Sequence, residues 1–485
     1  MNSYKNLNLY TGWILWAIAF IVYIVTIEPS LSFWDCGEFI STGYTLQIGH
    51  PPGAPFYLLL ARFFSIFVGN NVQHVAFAIN LVSVFASAFT ILFLFWTTTH
   101  ISKKIVNSLT ETSEKLKNIL VIGSGAMAAL TFTFTDTFWN SAVEAEVYSL
   151  SSLFTAVLFW AIFRWESQAK NKNSIRWLLL IAFLLGISIG VHMLTILVIP
   201  ALVMVYYFTK NTPTFRGGMI AFVIGIAIVG LLIWIIIPGI PKLAFWNDLL
   251  FVNTLGLPIN SGFVIFIILL FGILAYGLYY THSRSKSIAN TIILGFTFFI
   301  IGYSSYGILI IRSMAQPPIN ENNPENAYNL LSYINRDQYS KSPLLYGNTY
   351  NAPIEKFKND KQLYAVIDGK YVATHTTKIP VYNSEFSGFF PRMWSNQQQH
   401  IDAYKQWANI QDGVNTQTLY VNGQTLQRPS FMQNLQFFVS YQLSHMYLRY
   451  FMWNFSGRQN DIQGNGEPHK GNWISGIWFL DNARL

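Results

Sequence analysis

Two groups of carboxylates, each set among aromatic residues, carry the chemistry this sequence could perform. In Ser32-Phe33-Trp34-Asp35-Cys36-Gly37-Glu38-Phe39, Asp35 and Glu38 stand three positions apart and share a face if the segment is helical. Acids beside Phe33, Trp34 and Phe39 at a membrane boundary are costly unless something uses or pairs them, a solvated loop end being the plain alternative. His50-Pro51-Pro52-Gly53 follows. A residue before proline is pushed out of the helical region and two prolines stiffen what comes next, so the motif predicts an extended arm presenting His50. A tight structural turn is the other reading. Glu144 and Glu146 are two apart, so a helix would point them roughly 200° from each other, whereas an irregular turn would present both. His192, in Gly190-Val191-His192-Met193, and Arg312, in Ile311-Arg312-Ser313, read either as anion ligands or as ordinary helix-end residues. Together, one carboxylate would take a proton from a hydroxyl while its neighbours tune it or orient the substrate. The His and Arg would steady a departing anion.

The elements that must hold these residues span a membrane. Of 485 residues, 52% are hydrophobic, 17% aromatic and 11% charged, less than half the ~25% charge of an ordinary soluble domain, and the aromatic content excludes disorder. The net charge of +8 is spread without a dense basic run, which excludes a nucleic-acid footprint. The single cysteine, Cys36, permits neither an intramolecular disulfide nor a CxxC site. Nine stretches approach the ~20 apolar residues of a bilayer span: 9–27, 75–97, 119–139, 147–163, 177–191, 194–208, 218–238, 263–280 and 292–311. The fifth and sixth form a hairpin turning near Gly190 and His192. With the N-terminus inside, 13 of the 15 basic residues before residue 312 fall in cytoplasmic segments, the positive-inside bias.

Acids run the other way. Glu28, Asp35, Glu38, Asp136, Glu144, Glu146 and Asp248 fall outside, against Glu111, Glu114 and Glu166 inside. Acids contribute little to topology, so this bias points to chemistry on the outer face. Glu28-Pro29-Ser30-Leu31-Ser32 offers no small-x-small cleavage site, so the first span is expected to be a retained anchor. After Pro55, apolar residues from Phe56 to Phe67 recur at helical spacing and predict a short helix on the membrane surface.

The expected fold is mainly α. A polytopic bundle of about nine transmembrane helices covers residues 1–311, with functional outer loops 28–74 and 136–147, and an α+β domain on the outer side covers 312–485. In that second part Asn323-Pro324 reads as the cap and first turn of a helix through about Tyr339. Asp368-Gly369 reads as the type I′ turn of a hairpin. Asn434 to Phe455, interrupted by Gln442, His445 and Arg449, reads as an interfacial or domain-core helix in preference to a tenth span.

Asp35-x-Gly37-Glu38, His50-Pro51-Pro52-Gly53, Gly190-Val191-His192, Gly302-Tyr303-Ser304-Ser305-Tyr306, Arg312-Ser313 and Pro317-Pro318-Ile319-Asn320-Glu321-Asn322 together resemble one family. It is the bacterial membrane family related to eukaryotic transmembrane protein O-mannosyltransferases, glycosyltransferase family 117 in the GT-C superfamily. The resemblance runs from residue 28 through Arg458-Gln459-Asn460-Asp461 and Gly471-Asn472-Trp473-Ile474. It implies a GT-C-like bundle, a polyprenyl-phosphate sugar donor with mannose as the expected sugar, and a Ser/Thr hydroxyl of a secreted or envelope protein as acceptor. Asp35 and Glu38 then take the catalytic positions. His50, Glu144, Glu146, His192, Arg312, Asn320 and Glu321 take donor or acceptor binding. No metal ligand is assigned, and a divalent metal is left open. The implied setting is a bacterial inner membrane with the C-terminal domain in the periplasm and membrane lipids around the bundle.

Family members usually continue into further spans, which predicts a truncated or split form and a partner supplying them. The sequence has no GxxxxGK[ST], HExxH or DxD motif, which removes support from ATP-driven work and zinc proteolysis and leaves a donor that arrives within the membrane. Transfer to an envelope lipid or glycan stands as an alternative, as does a transport or non-catalytic subunit.

Overall fold

The computed structural model describes residues 2–108, 113–339, 342–421 and 423–485; Glu111, among the acids assigned to the inner side, lies outside them. The chain forms two units, residues 1–337 with 368–370, and residues 338–367 with 371–485.

The first unit is helical. In order come α1 (Asn2–Val25), α2 (Cys36–Thr45), α3 (Pro55–Ile66), α4 (Val75–Val106), α5 (Glu114–Thr133), α6 (Asp136–Val143), α7 (Val147–Ser167), α8 (Ile175–Ile189), α9 (Ile199–Lys210), α10 (Phe215–Leu231), α11 (Ile237–Asn253), α12 (Ser261–Ser283), α13 (Ser287–Tyr303), α14 (Gly307–Met314) and α15 (Ala327–Ile334). Eight segments among the described residues are long and apolar enough to cross a bilayer: α1, α4, α5, α7, α9 with the 3₁₀ turn before it, α10–α11, α12 and α13–α14. The protein is thus a mainly α, polytopic membrane protein, as its sequence predicts.

The remaining expected span is α8. Its 15 residues reach about 22 Å at ~1.5 Å per residue, short of a ~30 Å hydrocarbon core. Its neighbours nevertheless show that it runs from one end of the bundle to the other. Lys210 Nζ, closing α9, donates to the Ala169 carbonyl just beyond α7 at 3.1 Å, while His192, past α8, packs on Tyr148 at the start of α7 with ring centroids 5.3 Å apart. The helices α7, α8 and α9 therefore alternate in direction, and the hairpin turns at Gly190–His192 as the charge pattern requires. Glycines seat α8 against α13: a Cβ at Gly186 would strike the Phe299 carbonyl, and one at Gly302 would come within 2.5 Å of the Phe183 carbonyl oxygen.

Three boundaries differ from the sequence reading. The third span ends at Thr133, where Phe134 and Thr135 break the helix and Asp136 opens the separate α6, its carboxylate favoured in a first turn by the helix dipole. The cap of α15 is Asn326, which accepts from the Asn329 N–H. Asn323 instead has φ 43° and turns its Oδ1 to Ser313 Oγ (3.0 Å) and Asn320 Nδ2 (2.8 Å). Finally, residues 312–337 group with the membrane unit, so the change to polar composition at Arg312 precedes the structural division. One of the acids that the charge pattern assigns to the outer side is accounted for by structure: Asp248 is fully buried and accepts from the N–H groups of Gly262 (2.9 Å) and Asn260 (3.0 Å) at the start of α12.

The second unit contains β1 (Tyr346–Asn348), β2 (Ile354–Ile367), β3 (Lys370–Tyr382), β4 (Ser387–Phe389), β5 (Gln417–Val421) and β6 (Gln424–Arg428), paired as β1–β4, β2–β3 and β5–β6. Asp368 (φ 49°) and Gly369 (φ 74°) make the β2–β3 turn, both positive as a type I′ turn demands. Phe431–Trp453 forms one helical rod whose centre, Phe438–Leu448, is π-helical. It is not among the candidate spans, and its Phe437 packs with Tyr350, Met393 and Tyr404 in this unit's core.

Candidate functional site

The short helix α2 places the first acids. Asp35 is its N-cap residue and Glu38 lies in its first turn, so the two share a face. At the other end three carbonyls are held by arginines: Arg62 Nη1 donates to Tyr44 (2.5 Å), Arg312 Nε to Leu46 (2.7 Å) and Arg312 Nη2 to Thr45 (3.1 Å). Cations at a helix C-terminus satisfy its last carbonyls and complement its dipole. Arg312, expected near a phosphate, is thus engaged in anchoring α2.

His50 is positioned by backbone. Ile48 forms an isolated parallel bridge with Asn320, its N–H donating to the Ile319 carbonyl (3.0 Å) and its carbonyl accepting from the Glu321 N–H (3.1 Å). Tyr333 Oη donates to the Gly49 carbonyl at 2.6 Å. His50-Pro51-Pro52-Gly53 is a tight turn closed by the Gly53 N–H on the His50 carbonyl (2.9 Å), not the extended arm its prolines suggest. The imidazole still meets the acids. His50 Nδ1 lies 3.0 and 3.1 Å from the two Glu38 carboxylate oxygens, the His50 backbone N–H donates to Glu38 Oε1 at 2.5 Å, and Nε2 stands 4.0 Å from Asp35 Oδ2. Gly49 makes this possible, because a Cβ there would collide with Glu38 Oε1. The Glu38 hydrogen bond, against burial and with help from the charges of Glu38, Asp35 and Glu321, raises the His50 pKa. Burial pushes Glu38 upward, but its His50 hydrogen bonds outweigh that and hold it below its ordinary value.

The second loop adds two more acids. Glu144 ends α6 and Glu146 precedes α7, joined by a tight turn at Ala145 in which the Glu146 N–H donates to the Glu144 carbonyl (2.9 Å). Ser32 Oγ donates to Glu144 at 2.6 Å and Asn140 Nδ2 at 2.9 Å, while Cys36 Sγ approaches Glu146 Oε1 at 3.7 Å. The irregular turn therefore directs both acids to the first loop. Glu146 is 7% exposed, and burial, reinforced by the Asp35 and Glu144 charges, pushes its carboxyl up to about 7. Burial also pushes the Cys36 thiol up to about 12, leaving it a neutral donor.

The other expected site residues take supporting places. His192 Nδ1 accepts the Leu194 N–H (3.2 Å), and burial together with Arg336 lowers its pKa, so the neutral ring serves as a cap. Asn320 Oδ1 accepts from Ser313 Oγ at 2.9 Å. Glu321 faces the Glu38–His50 pair, and burial and the Glu38 charge raise its pKa. Sequence reading missed Asn80, whose Nδ2 donates to the carbonyls of Glu28 (2.8 Å) and Ser30 (3.1 Å), and Ser83, whose Oγ reaches the Glu146 carbonyl (3.5 Å). Polar residues inside the otherwise apolar α4 were the available signal. Asp35, Glu38 and His50 each bring one atom within 4.8 Å of the others, a spacing that a divalent cation accepts.

Residues 35–214 match the family model described as the protein O-mannosyl-transferase TMEM260 N-terminal domain. Over this segment the chain is similar to that membrane O-mannosyltransferase family. The TMEM260-like segment contains Asp35, Glu38, His50, Glu144, Glu146 and His192 and ends before Arg312, Asn320 and Glu321. Protein O-mannosyl-transferase tmem260 of Dictyostelium discoideum is 26% identical over 145 residues, 29% of this chain and 15% of the relative. Protein O-mannosyl-transferase TMEM260 of Mus musculus is 28% identical over 169 residues, 35% of this chain and 21% of the relative. The matched stretches thus span about a fifth or less of these relatives. Residues 340–439 match a family of unknown function, DUF8416. No solved structure matches.

Proposed function

We propose that this protein is a membrane glycosyltransferase that moves a sugar, mannose by its resemblance, from a polyprenyl-phosphate donor to Ser/Thr hydroxyls of exported proteins. The observation that carries the reading is the convergence of Asp35, Glu38 and His50 with Glu144 and Glu146 within a TMEM260-like segment. Asp35, the most accessible of the three clustered groups, takes the proton from the acceptor hydroxyl as its oxygen attacks the anomeric carbon and the bond to the lipid phosphate breaks. The leaving phosphate keeps the electron pair, and His50, its Nδ1 fixed by Glu38, offers Nε2–H as a donor. The surrounding carboxylates suit a hydroxyl-rich sugar whose ring gains positive charge in the transition state. With the N-terminus cytoplasmic, these loops face the periplasmic side of a bacterial inner membrane.

The test is transfer from labelled polyprenyl-phosphate mannose to a Ser/Thr peptide by the purified protein. Asp35→Asn should lower the rate by about 10²- to 10⁴-fold, the worth of a positioned base. Full activity in that variant would remove the role assigned to Asp35, and label found only in lipid would redirect the acceptor to an envelope lipid or glycan.

A further inference from the structure

The end of the bundle away from the acid site carries cations that no carboxylate neutralises. Three helices meet there: α7 closes at Ser167, α8 opens at Ile175, and α9 closes at Lys210, whose Nζ reaches back to the Ala169 carbonyl (3.1 Å). Arg164, Lys170, Arg176 and Lys210 are exposed around this junction, and none of the four has an acidic partner among the described residues. Glu166, in the last turn of α7, is already taken by His100 Nε2 (3.0 Å) and by Lys104 Nζ, both from α4.

Indole rings hold the two arginines. Trp160 on α7 and Trp177 on α8 pack edge to face with centroids 5.4 Å apart. The Arg164 guanidinium lies over both, 5.9 Å from the Trp160 centroid and 5.8 Å from that of Trp177, and the Arg176 guanidinium lies 5.7 Å from Trp177. A ring holds a guanidinium by its face and leaves the N–H edges free for an oxyanion. Arg176 directs one donor to Gln168 Oε1 (3.4 Å), and Lys210 lies 5.7 Å over Trp165. Depth narrows the choice of anion. Arg164 stands in the last turn of the span Val147–Ser167 and Arg176 in the first turn of α8, so both heads lie at the boundary of hydrocarbon and water, where tryptophan also concentrates. Snorkelling accounts for one arginine reaching water, but not for two helices bringing theirs to one indole pair without a counter-charge. A soluble acidic protein would meet the lysines first, whereas the stacked arginines lie level with lipid phosphates.

We infer that Arg164 and Arg176, on their Trp160–Trp177 platform, bind the phosphate of an anionic phospholipid in the leaflet opposite the acid site. Two guanidinium forks suit a phosphodiester, Lys170 and Lys210 add attraction for a net negative headgroup, and the acyl chains lie along the apolar surface of α7 and α8. The inference does not depend on the reaction proposed above.

The full-length protein in a zwitterionic detergent is titrated with phosphatidylglycerol or with phosphatidylcholine of the same acyl chains, and bound lipid is counted by native mass spectrometry. Phosphatidylglycerol should bind about tenfold more tightly and should persist against an equal concentration of inorganic phosphate, which lacks the chains. Arg164→Gln with Arg176→Gln should weaken its binding about thirtyfold, about fivefold per lost cation. Arg284→Gln with Lys286→Gln, which removes two cations lying over Tyr280 in a single loop, should leave it within about twofold. Equal binding of the two lipids, displacement by inorganic phosphate, undiminished binding in the Arg164 and Arg176 variant, or an equal loss in the Arg284 and Lys286 variant would overturn the inference. Displacement of the lipid by polyglutamate would also overturn it and turn the site toward an acidic protein. If the double Arg164 and Arg176 variant fails to fold, the two single variants, each expected to lose about fivefold, decide.

Discussion

Between Asp35 Oδ2 and His50 Nε2 lies a 4.0 Å gap that no direct hydrogen bond spans, and one substrate oxygen could touch both atoms. Glu38 decides which protonation state meets that oxygen. Its hydrogen bond raises the His50 pKa, so the imidazolium is fully present at low pH and is lost as pH rises through the raised value. Glu38→Gln withdraws the carboxylate, and the alkaline limb of the kcat/KM profile for transfer should move to lower pH; an unmoved limb would mean that His50 ionisation does not govern the rate. Glu146 behaves oppositely as an acid. Its carboxyl, raised from 4.5 to about 7 by burial and its acidic neighbours, stays protonated in the fold where the unfolded chain has ionised. The folded state then binds more protons, so stability falls as pH rises across that window. Glu146→Gln should flatten the decline of Tm between about 4.5 and 7, and an unchanged slope would assign the decline to another group. At this scale the acids and His50 were legible, because short spacings such as Asp35 to Glu38 survive into any local structure. The role of Arg312 was not, since its acceptors are carbonyls 266 and 267 positions away.

The element that organises the site is α2, ten residues held at its C-terminus by Arg62 and Arg312. A helix this short has little intrinsic stability, so tertiary anchors set its orientation and with it the direction of Asp35 and Glu38. Arg312→Gln removes two hydrogen bonds from a charged donor, each worth about 1.5 to 3 kcal/mol. It should lower Tm and kcat together with little change in donor KM. An effect confined to donor KM would return Arg312 to the phosphate. The His50 turn belongs to the same scale. Its prolines announced a stiff segment, but whether the chain ran on or turned back depended on Tyr333 and the Ile48–Asn320 bridge, which come from distant sequence.

For the whole membrane unit the open question of direction turns on α8, the one expected span too short by length alone. Because Lys210 bonds to Ala169 beyond α7, the ends of α7 and α9 share a side, opposite the Tyr148–His192 end. In a Cys36→Ala background, a cysteine placed at Lys210 should be labelled by an impermeant thiol reagent only from the cytoplasmic side, and one at Asn70 only from the opposite side. Labelling of both from one side would reverse the assigned topology. By itself the sequence determined the apolar spans, their alternation and the two acid loops, because hydropathy period and charge bias are local properties that a bilayer reads directly. Only the tertiary structure decided that Glu38 locks His50, that Glu146 is buried against Cys36, that Asp248 caps α12 and that Arg312 holds α2. Each of those outcomes is a partnership between residues distant along the chain, or an orientation fixed by one, and a polar group buried beside lipid takes whichever partner the packing brings within reach.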